Sequence, residues 1–396
     1  MTLIECFTSS DIDNMASCLR LRPAKMILVG NDRKMARPIK RYKKLLLQRG
    51  QKTLIEPCNV DGKSCQDICG AIEKLLLQEK KCVIDITGGD ETVILAVGAV
   101  LAQLSAERRK DIRVEWYDHE QGVVIDCVRN RRISHSRGVD LTVEQLILLH
   151  GGCIHPDSYQ PPETFRYSAL EPVWQLSRDW NDGIAKLLEF EKRSDDKDPL
   201  QICAPWSELR SISRFTEKEP IVTDLLDKMH RNGVIHDHSN FYHMQYEYRS
   251  EEMRYCTAKA GNVLEMKTLL EARAVLENGA PYFNDCRMSV SIDWDGVVSS
   301  AGPGTNNEID VVLMRGTTPL FVSCKNGDVE EEELYKLNTV AAEFGGKYVR
   351  KMLVATNFNK GKAFAQRAWD MDIMLVTDVA DMTHEQWREI FLRAMQ

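Results

Sequence analysis

The sequence predicts an α/β protein with a doubly wound N-terminal domain, a mainly helical connector and a second α/β domain. The first observation is length, because 396 residues exceed the usual size of one domain. The second is that strand-like and helix-like segments alternate over residues 1 to 130 and again after residue 246. The third is that Gly-Gly and Pro-Pro pairs interrupt helical segments between these regions. We therefore expect domains at 1–140, 141–245 and 246–396.

The composition excludes several functional classes. A formal net charge of −7 argues against bulk electrostatic capture of nucleic acid, so any polyanion must bind at a local basic patch. The twelve cysteines include no CxxC pair, and scattered thiols suit a reducing compartment. The first residues show no signal-peptide pattern, and the longest apolar run, Val93–Leu104, is too short to cross a bilayer. We expect a cytoplasmic protein without membrane contact.

The N-terminal region is expected to form a mainly parallel sheet, because strands separated by helices of this length imply right-handed βαβ units. The predicted strands are Thr2–Phe7, Lys25–Val29, Thr53–Pro57, Cys82–Ile86, Ile112–Tyr117 and Val123–Cys127. The predicted helices between them are Asp11–Leu21, Pro38–Gln48, Ser64–Gln78 and Glu91–Leu104.

Two loops in this region are candidate ligand-binding elements, since ligands of doubly wound sheets bind at the carboxyl ends of the strands. Thr8-Ser9-Ser10-Asp11 follows the first strand, and Thr87-Gly88-Gly89-Asp90 follows the fourth. Paired glycines let a ligand approach the backbone, and a helix N-terminus favours phosphate. Tight turn geometry is the alternative explanation. No GxGxxG motif is present, so a nicotinamide dinucleotide is not expected.

The connector carries predicted helices near Glu144–Leu149, Pro172–Phe190 and Ile221–Asn232. The last of these, followed by Gly233-Val234-Ile235, resembles the helix, turn and strand of a winged-helix unit. No basic recognition helix is evident, so a structural spacer is favoured over a DNA-reading role.

The C-terminal region centres on a predicted hairpin, in which Asn307–Leu313 and Leu320–Lys325 flank the turn Arg315–Pro319. Side chains alternate along a strand, so Glu308 and Asp310 share a face and Asp310 lies opposite Ser323–Lys325. The other predicted elements are the helix Val263–Leu276, the strand Met288–Trp294, the helix Glu331–Phe344, the strand Tyr348–Ala355, the helix Lys360–Asp370, the strand Ile373–Thr377 and a helix from His384.

Carboxylates beside a lysine among apolar residues suit a divalent metal site. Asp310 and Glu308 would hold Mg²⁺ or Mn²⁺, and Lys325 would stabilise negative charge that develops on a phosphate. An ordinary salt-bridged hairpin is the alternative.

This hairpin resembles the core of the PD-(D/E)xK, or restriction-endonuclease-like, superfamily, which carries an Asp on one strand and (D/E)-x-K on the next. Asp310 matches the first position and Lys325 the last, whereas Ser323 stands where a carboxylate is usual. The resemblance implies that Glu308 supplies the missing charge, and that the Ser323 hydroxyl or the Cys324 main-chain carbonyl meets the metal or its water.

Two further residues follow from the same resemblance. Glu265 lies on the helix before the hairpin, where this superfamily often carries a helical Glu, and is a candidate metal ligand; a solvated helix glutamate is the alternative. Lys336 lies on the helix after the hairpin and is a candidate phosphate contact.

A doubly wound domain with Ile-Thr-Gly-Gly after its fourth strand, ahead of such a nuclease domain, resembles the CARF-containing CRISPR ancillary nucleases. The resemblance implies a Rossmann-like CARF domain that forms a homodimer and binds a cyclic oligoadenylate, with tetra-adenylate favoured. The residues carried over as ligand-binding are Thr87, Gly88 and Gly89 by motif, and Ser9, Ser10 and Asn31 by loop position. Asp90 departs from the Thr and Lys common after these glycines, and is expected to face ribose hydroxyls, adenine amino groups or the partner subunit.

The resemblance further implies a metal-dependent endonuclease of type III CRISPR defence, with single-stranded RNA and DNA as substrates and nicking of duplex DNA as a further activity. Two alternatives stay open. One is a ligand-sensing regulator in which Ser323 marks a decayed nuclease, and the other is a constitutive repair or restriction-type nuclease.

Overall fold

The computed structural model describes most of the chain and shows two large sheets. The described residues are 1–60, 62–133, 138–156, 158–177, 181–192, 198, 200–211, 215–259, 261–297, 306–327 and 329–396. None of the helices within these ranges is long and apolar enough to cross a membrane.

The N-terminal sheet has seven strands in the order β3-β2-β1-β4-β5-β6-β7. Its first five strands pair in parallel and the last two in antiparallel fashion, so the predicted Rossmann-like doubly wound domain is confirmed. The strands are β1 (Thr2–Cys6), β2 (Lys25–Gly30), β3 (Leu54–Asn59), β4 (Cys82–Asp85), β5 (Ile112–Asp118), β6 (Val123–Asp126) and β7 (Arg131–Arg132). The helices are α1 (Asp11–Leu21), α2 (Asp32–Gln48), α3 (Cys65–Gln78), α4 (Glu91–Gln103) and α5 (Ala106–Lys110).

Helix α2 begins at Asp32, so the predicted start at Pro38 is wrong. Proline is common in the first turn of a helix, but Pro38 lies inside this one. The start is fixed instead by Asn31, whose side chain accepts hydrogen bonds from the backbone N–H groups of Arg33 and Lys34. The earlier start brings Lys34 and the residues around it to the carboxyl ends of the strands.

A row of buried carboxylates crosses the N-terminal sheet. Glu5, Asp85, Glu115 and Asp126 are register partners on β1, β4, β5 and β6, and each is at most 1% exposed. Burial raises the pKa of Glu5 well above its usual value and that of Asp85 to about 6.

Cations neutralise only one end of this row. Glu115 pairs with Arg20 from α1 and accepts a hydrogen bond of 3.0 Å from Ser17, while Asp126 pairs with Arg129 at 2.8 Å. Neither carboxylate oxygen of Glu5 has a hydrogen-bond partner within the described part of the chain. An unpaired buried carboxylate favours its neutral form, so this end of the row binds protons more tightly than exposed carboxylates do.

The connector contains a three-stranded sheet in the order β10-β11-β9 with helices beside it, which agrees with a winged-helix-like unit. Its elements are α6 (Val143–Leu149), β8 (Cys153–Ile154), α7 (Tyr167–Leu176), α8 (Asn181–Glu191), β9 (Gln201–Pro205), α9 (Trp206–Arg210), α10 (Phe215–Arg231), β10 (Ile235–Asp237) and β11 (His243–Tyr248). The predicted helix over 172–190 includes 178–180, which lie outside the described residues.

The C-terminal sheet has six strands in the order β18-β17-β16-β15-β14-β8, which is the predicted restriction-endonuclease-like α/β domain with β8 of the connector added at one edge. Its elements are α11 (Glu251–Ala258), α12 (Asn262–Ala274), β12 (Leu276–Glu277), β13 (Ala280–Pro281), β14 (Asp285–Asp293), β15 (Asn306–Arg315), β16 (Thr318–Lys325), α13 (Glu331–Phe344), β17 (Arg350–Ala355), α14 (Lys362–Asp370), β18 (Ile373–Val376) and α15 (His384–Ala394).

The central hairpin is tighter than predicted. Its strands pair from Val311↔Val322 to Arg315↔Thr318, so Gly316 and Thr317 alone form the turn. Gly316 adopts a φ of 63°, which a glycine takes readily and which permits a two-residue connection.

One hydrophobic core joins the two large sheets. Leu3 of β1, Ile147 of α6, Ile309 of β15 and Phe344 of α13 belong to the same buried cluster. Helix α6 contacts α2 on one side and strands β14 and β15 on the other. A displacement of the N-terminal sheet would therefore be transmitted to the hairpin, because close-packed interiors transmit displacement.

The buried carboxylate row makes stability depend on pH in a direction that can be measured. The folded-state pKa of Asp85, about 6, exceeds the value of 3.8 expected when unfolded, so the folded state holds the proton more tightly. The contribution of Asp85 to the free energy of unfolding is therefore present below its unfolded pKa and lost as the pH rises. The free energy of unfolding of the wild type should therefore fall relative to that of Asp85→Asn as the pH rises. We expect this difference to change by about 1 kcal/mol, in favour of the variant, from about pH 5 to about pH 7.

Urea unfolding at several pH values measures this difference. The asparagine keeps an oxygen that accepts the 2.6 Å hydrogen bond from the backbone N–H of Thr87, so the loop after β4 keeps its anchor. Parallel stability curves for the variant and the wild type would refute the assigned protonation.

Candidate functional site

The pairing of β14 with β15 is interrupted at Asp310. Met288 pairs with Val311 and Val290 with Ile309, while the intervening Ser289 and Asp310 are left out of the register. Ser289 has a φ of 48°, which is uncommon for a residue other than glycine. Met288 and Val311 pack into one core cluster, and Val290 and Ile309 into another. The side chains of both strands therefore change faces of the sheet at Ser289 and Asp310. Irregularities of this kind redirect side chains and are common near functional sites.

The side chain of Asp310 is fixed by strand β16. One carboxylate oxygen accepts a 2.6 Å hydrogen bond from the backbone N–H of Cys324 and lies 3.3 Å from the hydroxyl of Ser323, which donates to it. Burial raises the pKa of Asp310, although the Cys324 N–H and Lys325 oppose this shift. The predicted juxtaposition of Asp310 with Ser323–Lys325 is therefore present in the structure.

Lys325 is held by a residue that the sequence pattern did not single out. Its Nζ lies 2.8 Å from Oε2 of Glu333, in the first turn of α13. Burial lowers the pKa of Lys325, but Glu333 and then Asp310 outweigh it and raise the pKa above its usual value. The signal available in the sequence was a run of glutamates at a helix start, which is ordinary for helix N-termini.

These side chains line one pocket of about 170 Å³ between the hairpin and α13. Its lining residues are Asn307, Glu308, Ile309, Asp310, Val322, Ser323, Lys325, Glu333, Lys336, Leu337 and Val340. Lys336 lies 3.1 Å from Glu332 and 3.5 Å from Glu333. Its side chain is exposed, so its ammonium group can reach a ligand at the pocket rim. Five of the predicted site residues therefore share one cavity.

Glu265 lies outside the lining of that pocket, on helix α12. The hydroxyl of Ser289 donates to its carboxylate at 3.4 Å. Burial, then the charges of Asp310 and Glu308, raise the pKa of Glu265 to about 8. Glu265 is therefore close enough to Asp310 to respond to its charge, and is mainly protonated at neutral pH when no cation is nearby.

The side chain of Cys324 belongs to the core. Its thiol is 3.6 Å from the hydroxyl of Thr268, and burial raises the thiol pKa well above its usual value. A thiolate ligand is thus disfavoured, and the main-chain carbonyl remains the group that the family resemblance assigns to this position.

The chemistry of the donor set fits a hard divalent cation. Within the described ranges, no three His, Cys, Asp or Glu side chains already stand close enough together to enclose an ion. Mg²⁺ does not need such a cage, because it usually binds through one or two carboxylates, several waters and substrate phosphates. Asp310 with Glu308 or Glu265 offers these oxygen donors, and the raised pKa of Glu265 is that of a carboxyl lacking a positive partner.

A second pocket, of about 370 Å³, lies at the carboxyl ends of β1 and β2. Its lining residues are Phe7, Thr8, Ser9, Asp11, Asn31, Lys34, Pro38, Arg41 and Asp90. It brings together the predicted Ser9, Asn31 and Asp90 from three separate loops. Asp90 occupies the N-cap position of α4 but makes no capping hydrogen bond. Lys34 and Arg41 of α2 add positive charge to this pocket, and Arg41 pairs with Asp11 at 2.7 Å.

The other predicted ligand residues lie beside this second pocket and hold its walls. A Cβ at Gly88 would stand 2.3 Å from the methyl group of Thr8, and Gly89 has a φ of 108°, so both positions require glycine. Thr87 accepts a 2.8 Å hydrogen bond from the backbone N–H of Tyr117. Ser10 caps α1 by accepting from the N–H of Asp13. Gly88 and Gly89 therefore allow close packing, and Thr87 and Ser10 make hydrogen bonds that hold their loops in place.

Comparison with known proteins agrees with this geometry. Residues 252–390 match the family model described as "Card1-like, endonuclease domain", a stretch that contains every predicted residue of the hairpin pocket and Glu265. No curated protein matches the chain. The C-terminal part is therefore a Card1-like endonuclease domain, and the resemblance to a nuclease is confirmed.

Two solved structures share the fold over the whole chain. Protein VC1899 from Vibrio cholerae aligns with a TM-score of 0.69 and 15% identity, over 100% of this chain and 97% of that chain. Can2 from Sulfobacillus thermosulfidooxidans, solved in complex with cyclic tetra-adenylate, aligns with a TM-score of 0.67 and 16% identity, over 100% of this chain and 99% of that chain. At these identities the likeness shows the common fold.

Metal binding is expected to depend on pH through Glu265. Below its pKa of about 8 this carboxyl must release a proton before it meets a cation. We expect the apparent Kd for Mn²⁺, measured by calorimetry, to fall by up to about tenfold per pH unit between about pH 6.5 and pH 7.5. Glu265→Gln should flatten this dependence. Equal pH profiles for variant and wild type would remove Glu265 from the ligand set.

The pairing of Glu333 with Lys325 gives a second prediction. Glu333→Gln should lower kcat for phosphodiester cleavage by about tenfold, or roughly 1.4 kcal/mol, because Lys325 loses the carboxylate that orients it. The matched control is Glu332→Gln, which removes a neighbouring carboxylate that pairs with Lys336. Steady-state cleavage rates for both variants test this, and equal rates would show that Glu333 does not position Lys325.

Proposed function

We propose that this chain, whose C-terminal part is a Card1-like endonuclease domain, is a metal-dependent nuclease activated by a cyclic oligoadenylate. The observation that carries the proposal is the union, in one chain, of that domain with a doubly wound domain bearing a polar pocket at its strand ends. The full-length likeness to a protein solved with cyclic tetra-adenylate supports a ligand of that class. The role proposed in type III CRISPR defence follows from the resemblance to the CARF-containing nucleases.

The size of the strand-end pocket favours a homodimer. A pocket of about 370 Å³ suits a drug-sized molecule, whereas a ring of four nucleotides is several times larger. A two-fold axis that places two such pockets side by side would enclose the whole ring, since a dimer presents the same surface twice. Lys34 and Arg41 then offset phosphate charge, while Asn31 and Asp90 offer partners for ribose hydroxyls and adenine amino groups.

In the hairpin pocket, Asp310 with Glu308 or Glu265 would hold Mg²⁺ or Mn²⁺. When bound, such an ion polarises a phosphate and lowers the pKa of water. Lys325 stabilises the negative charge that develops on the phosphate oxygens, and its pKa, raised by Glu333 and Asp310, keeps it charged. Lys336 at the rim is placed to meet a neighbouring phosphate of the strand. Ser323 supplies a hydroxyl to Asp310 where the superfamily has a carboxylate, so the nuclease relies on Glu308 or Glu265 for the second charge.

We propose single-stranded RNA and DNA as the substrates, with nicking of duplex DNA as a further activity. A cleavage assay on labelled RNA and DNA strands with Mn²⁺ tests this, run without nucleotide and with cyclic tri-, tetra- or hexa-adenylate. We expect cleavage with cyclic tetra-adenylate alone, a loss of at least about a hundredfold in Lys325→Ala, and a smaller loss in Lys336→Ala.

Each other outcome has a definite meaning. Cleavage of equal rate in all conditions would identify a constitutive nuclease. Tight binding of a cyclic oligoadenylate without cleavage of any strand would identify a ligand-sensing regulator. Equal rates for Lys325→Ala and the wild type would show that the hairpin pocket is not the active site.

A further inference from the structure

His119 links the doubly wound domain to the turn of the catalytic hairpin. It follows directly after β5 and is 6% exposed. Its Nδ1 lies 2.8 Å from the hydroxyl of Thr317, and its Nε2 lies 3.1 Å from a carboxylate oxygen of Asp13. Because a carboxylate only accepts, the arrangement suits a proton on Nε2 and a hydrogen bond donated by Thr317 to Nδ1. One imidazole ring therefore contacts both regions of the chain.

Thr317, one of the two residues that His119 contacts, lies in the hairpin whose strands line the hairpin pocket. Thr317 is 1% exposed and forms, with Gly316, the whole turn between β15 and β16. The backbone of Gly316 is held by Asn284 at 2.6 Å and by the N–H of Leu141 at 2.9 Å. His119 contacts the hydroxyl of Thr317, which also interacts with the side chain of Tyr117. The two strands pair from this turn as far as Val311 and Val322. The position of the turn therefore influences Asp310 and Lys325, which follow just beyond the paired part.

The Asp13 side leads to the strand-end pocket. Asp13 stands in the first turn of α1, and its backbone N–H bonds to Ser10 in the loop after β1. Its Cβ would lie 3.4 Å from a Cβ built at Gly88, so it packs against the glycine loop. Asp13 therefore contacts both loops that follow the strand ends.

The C-terminal region surrounds the same group. The ring of His119 stacks on Tyr348 with centroids 4.3 Å apart, and Nζ of Lys347 lies 3.9 Å from Asp13. The Nε2 of His119 and the facing oxygen of Asp13 are close, yet neither makes an aligned hydrogen bond within the described part of the chain. A small shift of α1 is therefore enough to make or break a strong contact at this point.

We propose that His119 is a positioning residue that transmits the state of the strand-end pocket to the catalytic hairpin, through Asp13 on one side and Thr317 on the other. This inference rests on the proposed function, because it assumes a ligand at the strand ends. The ligand acts on the hairpin only if it has different affinities for the two positions of α1. His119 is the buried polar connection through which that difference reaches Thr317.

Paired substitutions separate the two contacts of the ring. His119→Asn keeps a polar atom near the position of Nδ1, facing Thr317, whereas His119→Gln keeps one near Nε2, facing Asp13. Thr317→Val removes only the hydroxyl at nearly constant shape, and Thr317→Ser retains it. None of these residues lines the hairpin pocket.

Three measurements are needed. Calorimetry gives the Kd for cyclic tetra-adenylate, cleavage assays give the ratio of rates with and without it, and amide hydrogen exchange follows residues 306–325 in the ligand-free protein. We expect Thr317→Val and His119→Gln to bind the ligand as tightly as the wild type or tighter, since binding no longer has to move the hairpin. The activation ratio should fall about tenfold, and exchange in the hairpin should accelerate. Thr317→Ser should resemble the wild type.

The double variant His119→Gln with Thr317→Val should lose no more activation than Thr317→Val alone, because that single change already removes the contact with His119. Wild-type activation and wild-type hairpin exchange in Thr317→Val would overturn the proposal, and this variant decides the case if a histidine variant fails to fold. Should the wild type itself respond to no cyclic oligoadenylate, the proposed function fails, while hydrogen exchange still decides whether His119 positions the hairpin.

Discussion

The hydrogen bond from the Cys324 backbone N–H to the carboxylate of Asp310 is the contact on which the candidate active site depends. The β14–β15 ladder breaks at Ser289 and Asp310, and the paired part of β15 and β16 ends at Val311 and Val322. A buried N–H left without an acceptor costs roughly 1 to 3 kcal/mol, and the side chain of Asp310 supplies that acceptor at 2.6 Å. The same carboxylate thus completes the sheet and faces the pocket, which fixes its position without a metal.

The rest of the molecule controls where this contact lies. Ile309, next to Asp310, packs in the core that continues to Leu3 in the first strand of the N-terminal sheet. The far end of the hairpin is held at Thr317 by His119. The hairpin is therefore fixed at one end by apolar packing shared with the N-terminal domain and at the other by a polar contact from it. Two attachments of different kinds allow the hairpin to be moved without being unfolded, because the polar contact changes partners at smaller cost than the core repacks.

Local pattern predicted most of the fold, and nonlocal contacts account for what it could not predict. Alternation and β-branched runs placed the hairpin strands, and their opposition followed from a side-chain period of two. The positive φ of Ser289 and the pairing of Glu333 with Lys325 depend on tertiary packing, so the residue types at these positions do not predict them. The sequence contained a signal for the true start of α2, since Asn31 is a strong capping residue. The prediction instead began the helix at Pro38, because proline is common in the first turn of a helix. In the strand-end pocket, loop position predicted Ser9 and Asn31, whereas the presence of Lys34 and Arg41 in the same pocket depends on how α2 packs beside the loops.

The charge around the hairpin argues for a cation independently of any family resemblance. Glu265, Glu308, Asp310 and Glu333 outnumber the neighbouring Lys325 and Lys336, so the site is negative when all of them are ionised. A polyanionic strand is repelled by such a site. Burial and mutual repulsion already protonate Glu265 near neutral pH, which reduces the excess without removing it. Glu265, Glu308 and Asp310 would hold a divalent ion that offsets this excess, and the ion would supply a positive partner for a phosphate beside Lys325. The carboxylate cluster would therefore accept the nucleic-acid substrate proposed above only together with a bound cation.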